Sequence, residues 1–80
     1  MKNLSDQAMQ ERIAKRIQKL RVLNDLTQSE MGEKLNISRS GYSKLEAGET
    51  HLSYELALLI SRKFNVPLDF FADDLPSITL

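Results

Sequence analysis

The chain has no cysteine and a single histidine, His51. The first absence excludes a disulfide framework, a thiolate zinc site and a cysteine nucleophile. The second leaves no room for a His-based metal cluster, so neither a metal nor another cofactor is expected. Long apolar runs are missing too. The longest nearly apolar stretch, Leu56-Ala57-Leu58-Leu59-Ile60, falls far short of the ~18 residues that span a bilayer. The first residues, Met1-Lys2-Asn3-Leu4-Ser5-Asp6, carry no apolar signal-peptide core. These absences leave a cytoplasmic chain with no membrane partner.

Net charge is absent as well, at zero, but the charges are not evenly spread. Residues 1–44 hold nine Lys or Arg against five Asp or Glu, a balance of +4. Residues 45–80 hold two against six, a balance of −4. A molecule with one basic and one acidic end can focus a field on a polyanion without a high isoelectric point. The plainer reading is two solvated helix faces, and charge alone does not decide.

What is present is ordinary for one small globular domain: 80 residues, 41% of them hydrophobic and 28% charged. Residues 1–80 read as a single domain with its core over about 9–72. A short extension, 1–8, precedes it and a tail, 73–80, follows. The expected architecture is all-α. Met9, Ile13, Ile17 and Leu20 recur on one helical face, which predicts a first helix from near Ser5, or a few residues later, to Asn24. Thr27-Gln28-Ser29-Glu30 is a capping box that starts a second helix at Gln28, ending near Leu35. Ser38 caps a third from about Arg39 to Glu46, closed by Gly48. Ser53 caps a fourth over Tyr54 to Phe64, and Pro67 opens a short fifth that contains Leu68, Phe70 and Phe71. No segment alternates over strand length.

The second and third helices are separated by about three residues, which forces a steep crossing of the helix-turn-helix kind. Met31, Leu35, Ile37, Tyr42 and Leu45 supply the inward apolar set. Gly32 falls mid-helix, where glycine costs ~1 kcal/mol against alanine, an expense explained if the third helix crosses close above it. Asn36 supplies a corner residue that tolerates the left-handed conformation. Arg39, Ser40, Ser43, Lys44 and Ala47 remain outside on one contiguous face with no acidic residue. Two cations, two hydroxyls and a methyl suit base edges and phosphates, and a major groove ~12 Å wide admits one helix.

These features resemble the Cro and phage-repressor-like helix-turn-helix proteins, the XRE family. The resemblance is carried by Arg16-Ile17, Leu20-Arg21, Leu26-Thr27-Gln28-Ser29-Glu30-Met31 and Leu35-Asn36-Ile37-Ser38. It continues through Tyr42-Ser43-Lys44-Leu45-Glu46-Ala47-Gly48 and Phe64-Asn65-Val66-Pro67-Leu68-Asp69-Phe70-Phe71, covering roughly residues 12–72. It implies a compact five-helix bundle of the lambda-repressor-like type that binds operator DNA, usually as a dimer, and regulates transcription. Carried over, Gln28 matches a glutamine that contacts the DNA backbone. Arg39 and Ser40 match the leading base-reading positions, and Ser43 and Lys44 match later ones on the same face. Thr27, Ser38, Thr50 and His51 join Gln28 in the expected backbone-contacting set. Arg21 and Glu46 match an internal ion pair. The chain departs from the family at three places: Asn36 stands where glycine is usual, Gly32 where alanine is common, and Gly41 where alanine, serine or threonine is more frequent.

Each of these residues has a plainer reading beside the functional one. Gln28 can be a polar first-turn residue, Arg39 and Lys44 solubilising charges, and Ser40 and Ser43 ordinary surface serines. Tyr42 falls on the apolar spacing and reads as core. Thr50 and His51 sit in a loop, where a solvated histidine is common. Leu68, Phe70 and Phe71 are partly core, and any exposed remainder marks a dimer contact.

The function that follows is a sequence-specific regulator, a bacterial or phage repressor bound as a homodimer to double-stranded operator DNA at the nucleoid. An antitoxin or a restriction-modification controller, with autoregulatory DNA binding and a protein partner such as a toxin, is the alternative. A protein-interaction bundle without DNA binding is a further reading. An enzyme has little support, since the sequence offers no Gly-rich phosphate loop and no carboxylate pair in an apolar setting.

Overall fold

Polar side chains set where three of the helices begin, and left-handed residues set where the helices end. The computed structural model describes residues 6–72. Within them lie α1 (Asp6–Leu23), α2 (Gln28–Lys34), α3 (Arg39–Glu46), α4 (Tyr54–Phe64) and a 3-10 segment (Leu68–Ala72). The described residues contain no strand. Thr27, Ser38 and Ser53 cap α2, α3 and α4, each accepting a hydrogen bond from the backbone N–H three residues on. Asp25, Asn36, Gly48 and Asn65 follow the four helices, with φ of 54°, 58°, 77° and 56°. Short polar side chains and glycine tolerate that conformation, which turns the chain out of the helix.

The expected ranges of α3 and α4 match the observed ones, and α2 ends one residue before Leu35, which serves as its C-cap. α1 stops at Leu23 rather than Asn24, because Asp25 has already turned left-handed. The start proposed at Ser5, residues 1–5 of the extension and the 73–80 tail lie outside the described residues. The fifth helix is the larger correction. Five residues after Pro67 close a 3-10 turn, begun by the Phe70 N–H on the Pro67 carbonyl at 3.0 Å, instead of α-helical turns. A stretch this short gains little from i→i+4 bonding and settles for the tighter coil.

The core joins Ile17 and Leu20 of α1 to Met31, Leu35, Tyr42 and Leu45 of the α2–α3 unit. Ala57 and Ile60 of α4 and Phe71 of the 3-10 segment complete it. Met9, placed on the same α1 face by its spacing, is 36% exposed, since it sits nearer the helix start than the elements that cover Ile13 and Ile17. Gly32 is buried where α2 meets the turn. A Cβ there would lie 3.0 Å from the Ile37 carbonyl oxygen, so the close neighbour is the turn backbone and not the body of α3. The turn after α2 therefore passes close against the space a side chain would occupy.

Candidate nucleic-acid interface

Two local devices fix α2 and α3 at their starts. The Thr27 hydroxyl oxygen accepts from the Glu30 N–H at 3.1 Å while the Thr27 N–H donates to the Glu30 carboxylate at 2.9 Å. Donation from the Thr27 backbone N–H foremost, with the Thr27 side chain adding to it, holds the Glu30 carboxyl below its ordinary value. At α3, the Ser38 oxygen accepts from the Gly41 N–H at 2.9 Å. Both caps are exposed.

The outer side of α3 is open. Arg39, Ser40, Lys44 and Ala47 are exposed and Ser43 is half-buried. Arg39, Ser40, Ser43 and Lys44 line a shallow depression to which no other element among the described residues contributes a side chain. The inner side is closed: Tyr42 is fully buried and Leu45 nearly so.

Behind α3 lies a polar junction of three helices. Arg21 of α1 donates through Nε and Nη2 to the two Glu46 carboxylate oxygens at 2.8 and 2.9 Å. Its Nη1 donates to the Leu26 carbonyl at 2.8 Å, just before the α2 cap. The half-buried Gln28 donates from its side-chain nitrogen to Glu46 at 3.3 Å. Burial pushes the Glu46 carboxyl up, but hydrogen bonds from Arg21 and Gln28, with the Tyr42 hydroxyl close by, outweigh it and leave the group below its ordinary value. Burial also pushes the Tyr42 phenol up, with the nearby Glu46 carboxylate adding to the effect. The Tyr42 hydroxyl has no partner in good hydrogen-bond geometry.

The remaining expected site residues are dispersed. Thr50 and His51 are exposed in the α3–α4 loop, but they border a separate depression with Asp6, Met9 and Gln10 of α1. Gln10 ties that side together by donating to the Gly48 carbonyl at 2.6 Å. Phe71 is 5% exposed and belongs to the core, so it offers no surface to a second molecule. Phe70 is half-buried, edge-on to Phe71 with centroids 5.4 Å apart, and the Arg16 guanidinium sits 5.8 Å from its ring centre. Only Leu68, at 40%, stands well out. The Gln28–Glu46 bond was missed from sequence because eighteen residues separate the partners and no spacing rule links them.

A family model described as Helix-turn-helix matches residues 17–71, more than half of the chain and all of the α2–α3 unit. The chain belongs to the XRE-type helix-turn-helix family. It is 41% identical over 63 residues to the antitoxin PezA of Streptococcus pneumoniae serotype 4, and 35% identical over 65 residues to the HTH-type transcriptional activator BcrR of Enterococcus faecalis. Those matches cover 78% and 81% of this chain but only 40% and 32% of the two relatives. No solved structure matches. No helix among the described residues is long and apolar enough to cross a membrane, and none of their His, Asp or Glu clusters can hold a metal.

Proposed function

We propose that the protein binds double-stranded operator DNA sequence-specifically as a homodimer and regulates transcription in the cytoplasm, at the nucleoid. The observation that carries this reading is the uncovered face of α3, where Arg39, Ser40, Ser43 and Lys44 converge without an acidic neighbour on that face. Laid in a major groove, Arg39 and Lys44 suit guanine O6 and N7 or phosphate oxygens, and the serines serve several bases. Thr27, Gln28 and Ser38 supply donors at the edges of that face, and Thr50 and His51 supply a more distant backbone contact. Leu68 with the outer part of Phe70 forms the dimer contact, and two subunits read half-sites ~34 Å apart. Repression follows where the bound dimer occupies polymerase's place, with no chemistry on the DNA.

A second reading is favoured by the likeness to an antitoxin. In it, the chain is an antitoxin or a restriction-modification controller whose DNA binding is autoregulatory and whose main partner is another protein, such as a toxin.

Binding of the purified chain to labelled genomic fragments across a salt titration tests the first reading. The expected result is selective retention of a few fragments, with log K falling linearly in log salt by about 0.9 per phosphate neutralised. Affinity that ignores salt overturns it. Sedimentation of the complex reads the dimer, and a second small protein that co-purifies in fixed ratio supports the antitoxin reading.

A further inference from the structure

Glu46 is the last residue of α3, and its side chain is only 5% exposed. A buried carboxylate needs partners, and these come from three helices. Arg21 of α1 grips both oxygens, Gln28 of α2 donates to one of them, and Tyr42 of α3 lies close by. An ionised carboxylate only accepts. The Gln28 carboxamide therefore has one favourable orientation, nitrogen inward. Turned over, its oxygen would face the Glu46 oxygen with no proton between them. The –NH₂ group has two hydrogens, so one engages Glu46 and the other is left to point away.

A negative charge directly behind a phosphate contact would ordinarily repel the phosphate. Here Arg21 supplies a charge-matched, two-pronged partner for the same carboxylate. We propose that Glu46 is a positioning residue for the contact between Gln28 and the DNA backbone. It holds the Gln28 carboxamide nitrogen-inward, with its second N–H free for a phosphate oxygen, while Arg21 cancels the charge that would repel that phosphate. The inference rests on the DNA-binding reading above and deepens it. The ion pair then contributes to affinity on every sequence alike, and not to the choice of bases.

The test measures what Gln28→Ala costs in DNA affinity in two backgrounds of the full chain. One is the native background; the other carries Arg21→Met together with Glu46→Leu, which removes both charges and leaves neither stranded. In the native background the substitution should weaken binding about fivefold on cognate and random duplexes alike. In the replaced background it should cost less than about twofold, since the amide is no longer held. Equal losses in the two backgrounds overturn the inference, as does no loss in the native one.

A second measurement needs neither variant nor DNA. In the native chain, the Gln28 side-chain amide resonances should follow Glu46 as it protonates on acidification. Resonances that ignore Glu46 overturn the inference. Failure of the native chain to bind any duplex overturns the functional reading and this inference with it. That failure is distinguishable, because the resonances would still follow Glu46.

Discussion

The two sides of α3 hold their side chains in opposite ways. Inward, Tyr42 and Leu45 are packed into the core and Glu46 is bound by residues from two other helices. Outward, Arg39, Ser40, Ser43 and Lys44 are held by no hydrogen bond or ion pair among the described residues. Eight residues thus divide between a side that sets stability and a side with little to lose from substitution except what it contacts outside the molecule. The contrast also shows why a zero net charge is a poor guide here: the acidic residue of α3 is neutralised internally, and its cations are not.

Substitutions on each side can break this division or sharpen it. Tyr42→Ala should have the largest effect, lowering unfolding free energy by about 4 kcal/mol in urea titration, because a fully buried ring leaves a cavity. A domain of this size has little stability to spare, so much of the population should unfold. Arg21→Met should come next, at about 3 kcal/mol, since it strands the buried Glu46 charge; adding Glu46→Leu should recover most of that loss. The same carboxylate gives a pH test. Its titration lies lower in the folded chain than its ordinary 4.5, so its contribution is complete above that value and fades as pH falls through the folded one. Urea midpoints should therefore drop on acidification, and Arg21→Met/Glu46→Leu should flatten that part of the drop.

Gly32→Ala should destabilise by about 1 kcal/mol, because the new methyl lies 3.0 Å from the Ile37 carbonyl oxygen and that backbone must give by a few tenths of an ångström. A neutral result there would mean that the turn can move. Arg39→Ala should be the mildest for stability, within about 0.5 kcal/mol, as an exposed side chain without internal partners. Its effect should appear instead as lost discrimination at one base position, about 1–3 kcal/mol by competition binding. A large stability loss from Arg39→Ala would erase the distinction between the two sides.

Much of this was legible in the sequence because the signals are local. Thr27 and Glu30 announce α2, Ser38 and Ser53 announce α3 and α4, and the spacing of Tyr42 and Leu45 separates the inner side of α3 from the outer. Three results were not legible, each for a long-range reason. The segment after Pro67 carries helix-compatible residues, but its length and its packing on α1 choose the 3-10 coil. Phe71 and Leu68 look alike as apolar residues, and only the fold decides that one is buried and the other exposed. The hydrogen bond between Gln28 and Glu46 depends on how α2 and α3 cross, which periodicity does not encode.

α2 and α3 are seven and eight residues long. Helices below about 12–15 residues barely persist alone in water, so neither survives once its neighbours let go. Whatever α3 reads, it can read only while the entire bundle stands, and amides in α3 should exchange with solvent at the pace of global melting. Any process that shifts the folded population, such as heat or proteolytic turnover, would then set directly how much of the α3 surface is presented at all.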